Sequence, residues 1–443
     1  MTNSTEAAAD PPRASTKELV AWVGYDWACS AYSTLQITVI VIYMGLVLPE
    51  RWGWVTYGGI IAVGTLTGAL LSPVVGALAD AANNKRLWLA VTALGGAAAA
   101  VVMALVPSGW PWMVAVLFFC LHMLFELSYV PYNGFLTDIA TEEQMNRASA
   151  WGYGVGYVGG AVPLLLMLLM PPEGDPPTPE AVGTWCRRGL VLLGAWWAVF
   201  SLPTLWILRD RGAPPENRPS PGRAVAGAFR EVRRTLSRIR KYRMLALFLL
   251  AYLLYNDGMQ TIISQASVFA KHDLRMQTSD LALLILVIQF VALPGALAVG
   301  WLADKLGQKP TLIGCLFLLM AVCTAACWVT EPKHFWIMGL TFALVMGGTQ
   351  SVSRAIMGRM TPPGRSAEFM GFFSFSGRAT TFLGAGLFAL VLALTDSARP
   401  AIFALLAFFV LGWILVSRVD VERGRRDALE TEGRRDGEKG GGG

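Results

Sequence analysis

The chain has 443 residues, of which 54% are apolar and only 15% are charged. Soluble globular domains carry roughly 25% charged residues, so this composition excludes a string of soluble domains. The net charge of +6 does not indicate a nucleic-acid partner, because the basic residues lie in the segments between apolar runs, where membrane topology uses them. The composition predicts an all-α integral membrane protein that has the lipid bilayer as its main partner.

Residues 1–18 are predicted to form a polar cytoplasmic N-terminus, without the short apolar stretch and small-residue cleavage site of a secretory signal. The first apolar run is therefore expected to be an uncleaved span. A helix of about 20 apolar residues crosses the hydrocarbon core of a bilayer. Runs of this kind lie near residues 19–48, 55–79, 87–106, 112–136, 148–170, 189–208, 244–269, 279–303, 311–330, 335–359, 369–394 and 400–417.

These runs predict twelve transmembrane helices in two bundles of six. Residues 19–208 form the N-terminal six-helix bundle, and residues 244–418 form the C-terminal one. Between them lies a basic cytoplasmic linker, residues 209–243, which contains Arg233-Arg234. The polar, glycine-ended tail of residues 419–443 is predicted to be disordered.

The placement of Lys and Arg predicts the orientation, because cytoplasmic loops carry an excess of both residues. With the N-terminus in the cytoplasm, most basic residues lie in the cytoplasmic segments, mainly the linker and the tail. The outside loops then hold Arg51, Arg187, Arg188, Lys271, Arg275, Lys333 and Arg399. We therefore expect a multi-pass protein of the plasma membrane with both termini in the cytoplasm.

The second span of each half ends in the same short pattern, G-x-x-x-D followed by basic residues. The residues of the two copies are Gly76 and Asp80 in the second span, and Gly300, Asp304, Lys305 and Lys309 in the eighth. Two six-span halves with this feature resemble the major facilitator superfamily, whose loop pattern is G-x-x-x-D-[RK]-x-G-[RK]. The second copy fits that pattern well, whereas the first departs from it directly after Asp80.

The chemistry of this pattern predicts a gating contact between the two bundles. Glycine lets two helices approach closely, and an aspartate at a helix end can cap the next helix. Nearby cations pair with the aspartate and stay on the cytoplasmic side. The alternative is an ordinary capped turn held inside by its charge, and this alternative is stronger for Asp80 because its copy departs from the family pattern.

Longer strings sharpen the resemblance. They are YDWACSAY at residues 25–32, YNDG at residues 255–258, SAEF at residues 366–369 and SGR at residues 376–378. Together they resemble the autophagy-related vacuolar amino-acid effluxer branch of the superfamily, over essentially residues 19–418. The pattern of that branch has Asn where this chain has Cys29. The resemblance implies a secondary transporter of amino acids or similar small polar solutes, in a fold that works as a monomer.

Polar side chains inside the spans mark the predicted substrate site, because a charge at the bilayer centre costs at least about 2.5 kcal/mol unless it faces a cavity or a partner. The resemblance implies that spans one, four, seven and ten line the cavity. The candidate substrate-binding residues are Tyr25, Asp26, Tyr32, Glu126, Tyr129, Asn133, Asn256, Asp257, Gln260, Gln350, Arg354 and Arg378. Arg354 and Arg378 suit a substrate carboxylate, which guanidinium binds in a bidentate manner. Asp26, Glu126 and Asp257 suit an ammonium group or a coupling proton.

Each of these charges also has a structural alternative. Asp26 lies about two turns from the cytoplasmic end of its span, so it could cap a helix or pair with a loop cation. Asp257 precedes Gly258 and could mark a local unwinding. His122 could be a packing residue rather than a proton relay. We nevertheless expect that transport requires Arg354 and at least one of the three carboxylates.

The two intramembrane arginines have structural alternatives as well. Glu126 and Arg354 could form an ion pair across the bundle, and Arg378 could pair with Glu368 near the inner surface. Both pairings would join charges that otherwise carry a large desolvation cost.

Motif searches exclude several mechanisms. The G-x-G-x-x-G match at residues 154–159 lies inside span five and follows no strand, so no dinucleotide cofactor is expected. Gly152, Gly156 and Gly160 instead form a ridge of small residues for helix packing. With no nucleotide-binding P-loop in the sequence, a proton or sodium gradient or the solute's own gradient is expected to drive transport. A lipid-modifying membrane enzyme is one alternative, but the sequence holds no catalytic or metal-ligating pattern. A solute sensor is the other, but the tail of residues 419–443 is too short for a soluble output domain.

Overall fold

The structure is a computed structural model that describes residues 15–49, 53–107, 109–211 and 221–440. These residues are helical apart from short connections, with one isolated β-bridge between Gly174 and Pro177. Twelve of the helical segments are long and apolar enough to cross a membrane. The prediction of an all-α protein with twelve spans is therefore confirmed.

The first six spans are formed by seven helices, because a π-helical turn at Gln36–Ile40 divides the first span into two. These helices are α1 (Thr16–Leu35), α2 (Val41–Val47), α3 (Gly53–Ala81), α4 (Lys85–Leu105), α5 (Pro111–Ile139), α6 (Glu142–Leu169) and α7 (Pro179–Ile207).

The described part of the linker contains one α-helix, followed by a 3-10 turn at Ile239–Tyr242, and two of the last six spans are interrupted. The remaining helices are α8 (Pro221–Ser237) in the linker, then α9 (Arg243–His272), α10 (Thr278–Leu306), α11 (Gln308–Ala325), α12 (Pro332–Arg359), α13 (Ser366–Arg378), α14 (Thr381–Thr395), α15 (Ala398–Ala404), α16 (Leu406–Arg418) and the tail helix α17 (Val421–Gly440). We call the end of the bundle at which α8 and α17 lie the linker end.

Local sequence fixes where several helices begin. Ser15 caps α1 and forms a capping box with Glu18, in which each side chain bonds the other residue's backbone N–H. Thr141 and Gln144 form a second capping box at the start of α6. Helices α5, α7 and α12 have proline in their first turn, where its missing N–H costs nothing.

Small residues on α6 let this helix pack closely against both halves. A Cβ atom added at Gly160 would clash with the Thr34 hydroxyl of α1, and one added at Gly154 would lie 2.6 Å from Leu293 of α10. Helix α6 thus packs between α1 of its own half and α10 of the other half. The α3–α13 contact is the pseudo-symmetric counterpart of the α6–α10 contact, so the two halves pack together through two equivalent helix pairs.

The structure differs from the predicted disorder of the tail, because the tail forms the helix α17, which continues to Gly440. Ala428 is buried, and Gly424 packs so closely that a Cβ atom there would lie 2.5 Å from the Met360 sulfur. Contacts of this kind are tertiary, and the polar composition of the tail gave no sign of them. The helix formers Glu, Arg and Ala complete the helix once these contacts hold it.

A break in span eleven, between α13 and α14, lies beside the Asn-Asp pair of α9. Asn256 donates a hydrogen bond to the carbonyl oxygen of Gly377 at 2.8 Å, before the break. Asp257 accepts one from the backbone N–H of Gly384 at 3.1 Å, in the first turns after it. The alternative that Asp257 marks an unwinding of its own span is wrong, because α9 is continuous and the interruption lies in the neighbouring span.

Candidate functional site

Arg354, the most buried charged residue among those described, forms an ion pair between the two halves. Arg354 of α12 lies 3.2 Å from the Asp26 carboxylate of α1, and the two side chains are 0% and 4% exposed. We call Asp26 and Arg354 the sealed pair. The hydroxyl of Tyr132 donates to the same Asp26 oxygen at 2.6 Å, so the carboxylate is held from two directions.

The guanidinium of Arg354, which belongs to the C-terminal half, is enclosed by groups of the N-terminal half. Its Nε donates to the Ser149 hydroxyl at 2.9 Å, and a second nitrogen donates to the Ser149 carbonyl oxygen at 3.0 Å. Asn133 accepts a weaker bond at 3.3 Å. The rings of Trp22 and Tyr153 lie 4.6 Å and 4.2 Å from the guanidinium carbon, within cation–π range. Such a cage is what a buried guanidinium needs, because breaking a buried pair leaves an uncompensated charge.

A second ion pair joins the halves near the middle of the membrane. Glu126 of α5 lies 3.1 Å from the Nε of Arg378, the last residue of α13. We call Glu126 and Arg378 the open pair, because the Arg378 side chain is 32% exposed. The second carboxylate oxygen of Glu126 is buried and has no hydrogen-bond partner in the described part of the chain.

These two pairs correct both pairings considered from the sequence. The pairing of Arg354 with Glu126 is wrong, because Arg354 binds Asp26. Arg378 was considered as a partner of Glu368, which binds Arg365 at 2.7 Å. Depth explains the outcome, because Arg354 lies in the last two turns of α12, on the linker side of the bundle, whereas Glu126 and Arg378 lie at mid-depth.

The other candidate residues divide into packed and accessible ones. Tyr25 and Tyr32 are fully buried in the N-terminal half, and the ring centroid of Tyr32 lies 4.3 Å from that of Phe125. Asn256 and Asp257 are buried at the break in span eleven. The partly exposed candidates, besides Arg378, are Tyr129, Gln260 and Gln350. Gln350 accepts a 2.7 Å hydrogen bond from the Tyr157 hydroxyl of the opposite half, so it lies on the seam between the halves.

His122 fills a packing position. Its two ring nitrogens lie 2.8 Å from the Tyr32 hydroxyl and 2.9 Å from the Thr65 hydroxyl. A Cβ atom at Gly64 would lie 2.7 Å from the ring, so α3 and α5 touch here. With both nitrogens bonded inside one half, the geometry favours the packing role over a proton relay.

The first copy of the repeated loop pattern contacts the opposite half directly. The Asp80 carboxylate accepts hydrogen bonds from the backbone N–H groups of Ala367 and Glu368, at 3.1 and 2.8 Å. Lys85 lies 3.5 Å from Asp80 and 2.5 Å from Asp138. We call Asp80, Lys85, Asp138 and the first turn of α13 the Asp80 cluster. The sequence suggested that Asp80 caps the next helix of its own half. It caps α13 of the other half instead.

The second copy makes the pseudo-symmetric contact with different partners. Asp304 accepts from Asn146 and from the Nε of Arg147 on α6, both at 3.0 Å. We call Asp304, Asn146 and Arg147 the Asp304 cluster. The lysines of the pattern lie elsewhere: Lys305 rests 4.0 Å from the Trp301 ring, and Lys309 donates to backbone oxygens before α17. The expectation that these lysines pair with Asp304 is therefore wrong.

Both clusters close the linker end. A further ion pair, Arg359 to Glu142 at 3.2 Å, joins the last turn of α12 to the first turn of α6 at the same level. The sealed pair lies one layer further in, and the open pair lies at mid-depth. The structure is thus a state in which the two halves are joined at the linker end by stacked polar layers.

Sequence reasoning missed most of the cage around Arg354. Ser149 and Tyr153 lie on α6, which was interpreted only as a packing helix, although Ser149 lies one turn before Gly152. A Cβ atom at Gly152 would lie 2.5 Å from the Asp26 carboxylate and 2.7 Å from Arg354, so the glycine makes room for the pair. No group of three His, Cys, Asp or Glu that could hold a metal ion is found among the described residues.

Comparison with known proteins places the chain in a family. A family described as vacuole effluxer Atg22 like matches residues 57–429. An uncharacterised MFS-type transporter of Bacillus subtilis, YxiO, is 30% identical over 92% of this chain and 96% of its own length. Autophagy-related protein 22-1 of Penicillium rubens is 29% identical over 66% of this chain and 52% of its own length.

Solved structures share the architecture at low sequence identity. The transporter FucP in an outward conformation has a TM-score of 0.68 at 15% identity, over 91% of this chain and 98% of that one. The proton:xylose symporter XylE has a TM-score of 0.70 at 11% identity, over 94% of this chain and 97% of that one. The fold is therefore that of the major facilitator superfamily. With the family match, it shows that this multi-pass membrane chain is a major facilitator transporter of the Atg22-like family and not an enzyme.

Proposed function

We propose that the protein exports a small zwitterionic solute, an amino acid in the first instance, across the plasma membrane by alternating access. The observation that carries this proposal is the open pair. It offers a guanidinium and a carboxylate side by side at mid-depth, and Arg378 is the more exposed of the two. An amino acid carries the complementary two charges, so its carboxylate fits Arg378 and its ammonium group fits Glu126.

Substrate sites in this class of fold lie near the midplane between the repeats, where the open pair is found. The unpartnered oxygen of Glu126 supports the assignment, because a buried acceptor without a partner is unfavourable and a solute N–H would satisfy it. The partly exposed Tyr129 on α5, and Gln260 and Gln350 on the opposite half, offer further hydrogen-bonding groups.

The sealed pair has a different task in this proposal. Asp26 and Arg354 belong to opposite halves, so their contact must break if the linker end opens as the halves rock. The pair then works as an inner gate, with the Asp80 and Asp304 clusters as the outer gate on the cytoplasmic side. Export as the direction is supported by the family's description as effluxers, and a proton or sodium gradient supplies the driving force.

Flux of labelled amino acids in proteoliposomes, with and without an imposed pH or sodium gradient, tests the proposal. We expect Glu126→Gln and Arg378→Gln to reduce flux at least 100-fold, because each leaves one solute charge without its partner; Arg378→Lys keeps the charge but loses the bidentate contact. Arg188→Gln, which removes an exposed cation far from the open pair and outside both gates, is the matched control. Solute binding without flux under every gradient would instead identify a sensor, and wild-type flux in both open-pair variants would refute the assigned site.

A further inference from the structure

The linker helix α8 presents three different faces. Going around the helix at 3.6 residues per turn, Glu231, Thr235 and Ala228 share an arc of roughly 60°. Val225, Phe229 and Leu236 occupy the adjacent arc of roughly 40°. Arg223, Arg230 and Arg233 follow on the next arc.

The first face is packed against the transporter. Ala228 is 4% exposed and forms an apolar cluster with Val74 and Ala77 of α3. Val74 and Ala77 lie within the last two turns of α3, which ends at Ala81. At 1.5 Å per residue, α8 therefore lies about 5–10 Å inside the linker-side end of a membrane span, which is the depth of the headgroup boundary.

The polar residues of this face bind the C-terminal half. The Thr235 hydroxyl, itself 3% exposed, donates to the Glu368 carboxylate at 2.7 Å and accepts from Arg365. Arg365 also lies 3.1 Å from Glu231. Burial opposes the charged form of Arg365, but the neighbouring Glu368 carboxylate outweighs it and raises the pKa of the guanidinium, so Arg365 stays protonated. Glu368 is also one of the two residues whose N–H groups Asp80 caps.

The other two faces are left uncovered by the described residues. Val225, Phe229 and Leu236 are 43%, 54% and 52% exposed, side by side along the helix. Arg223, Arg230 and Arg233 are exposed beside them. Arg240, Lys241 and Arg243 add exposed positive charge just after the helix.

We propose that α8 is an interfacial helix whose uncovered faces bind an anionic phospholipid surface, and that this binding stabilises the closed linker end. An apolar stripe next to a basic stripe, at headgroup depth, matches acyl chains and phosphates together. A soluble acidic partner would match only the basic stripe. Because the packed face joins α3 of one half to the first turn of α13 of the other, holding α8 at the membrane also holds the halves together.

Hydrogen exchange of the full chain in lipid nanodiscs tests the binding. In discs of phosphatidylcholine with an equal share of phosphatidylglycerol, we expect exchange in residues 222–238 to be slower than in phosphatidylcholine alone. Arg230→Gln/Arg233→Gln should remove up to roughly 30-fold of that protection, since a basic residue near an anionic surface contributes about 1 kcal/mol. Arg423→Gln/Arg426→Gln, the same charge change on the exposed side of α17, is the control and should retain it.

Three outcomes would overturn the lipid assignment. They are equal exchange in the two lipid compositions, equal loss of protection in the α17 control, and equal protection by soluble inositol hexakisphosphate added to phosphatidylcholine discs. Phe229→Ser should weaken the protection as well, because the apolar stripe contributes through burial among acyl chains. None of these readouts depends on transport, so they test this proposal separately from the proposed solute.

The double variant Glu231→Gln/Thr235→Val tests the link to the gate. Valine keeps the size of threonine but removes the hydroxyl that binds Arg365 and Glu368, and glutamine removes the charge that pairs with Arg365. We expect α8 to remain protected by anionic lipid while the lipid-dependent protection of residues 366–370 disappears. If residues 366–370 in this variant respond to lipid as in the wild type, the stabilisation of the closed end by α8 is refuted.

Discussion

The two copies of the repeated loop pattern close the same end of the transporter in physically different ways. Asp80 is 7% exposed, receives two backbone N–H groups and shares Lys85 with Asp138. Asp304 is 21% exposed, and its cation, Arg147, is 72% exposed. The copy that departs from the family pattern is thus the more buried contact. Agreement with a sequence pattern therefore does not measure how strongly a contact holds, since burial and backbone partners decide that.

The largest difference between the copies is expected from Asp80→Ala compared with Asp304→Ala. Removing the Asp80 carboxylate leaves Lys85 with one partner fewer and two N–H groups of α13 uncapped, which costs roughly 3 kcal/mol of the closed state. Asp304→Ala should cost less, about 1–2 kcal/mol, because Arg147 stays hydrated and the main loss is the hydrogen bond from the buried Asn146 amide.

Exchange at the start of α13, measured together with thermal unfolding in detergent, checks this difference. Asp80→Ala should open the linker end without unfolding the bundle. Equal effects of the two substitutions on exchange would contradict the comparison.

A second test uses the glycine of each copy. A Cβ atom at Gly76 would overlap the backbone carbonyl of Ala367, whereas one at Gly300 would lie 2.6 Å from the Cβ atom of Ala150. Both Gly76→Ala and Gly300→Ala should weaken the closed state by about 1–3 kcal/mol through overpacking. The clash at Gly300 is with a side-chain atom, which a smaller residue removes. Ala150→Gly should therefore rescue Gly300→Ala.

The same exchange measurement distinguishes these cases. Gly76→Ala combined with Ala367→Gly serves as the control and should show no rescue, because its clash is with main-chain atoms. Rescue in both pairs would mean that the backbone contact of Gly76 is not what closes that seam.

The smallest expected effect is that of Arg147→Gln. The exposed pair with Asp304 contributes about 0–1 kcal/mol and is screened by salt. We expect a measurable loss of closed-state protection at low ionic strength and none at high ionic strength. A loss of the same size at both salt concentrations would show that Arg147 acts through packing of its aliphatic stem rather than through its charge.

The sequence was sufficient for the fold and for finding the charged residues inside the spans, because uninterrupted apolar runs and charges inside them have few other physical explanations. The role of these charges in substrate binding stays a prediction. The pairing of these charges was not predicted, although the depth of each charged residue along its span indicates its partner. Asp26 and Arg354 both lie toward the linker-side ends of their spans, whereas Glu126 and Arg378 lie at mid-span. Counting residues from the span ends would have matched each acid with its base.

Other features were beyond the sequence for a different reason. The tail helix depends on a close approach of Gly424 to Met360, and the cage of Arg354 depends on which face α6 turns toward α1. Tertiary contacts of this type leave no periodic pattern in composition. They become visible only when the helices are placed side by side.

The break in span eleven makes α13 a short rigid lever. It has 13 residues, so it is about 20 Å long. Its first turn is held by Asp80 and, through Arg365 and Glu368, by the linker, while its last residue is Arg378. A tilt of about ten degrees at one end of such a rod displaces the other end by about 3 Å, which is the length of a hydrogen bond. Release of the first turn would therefore move Arg378 relative to Glu126 directly, because one rigid helix connects the two sites.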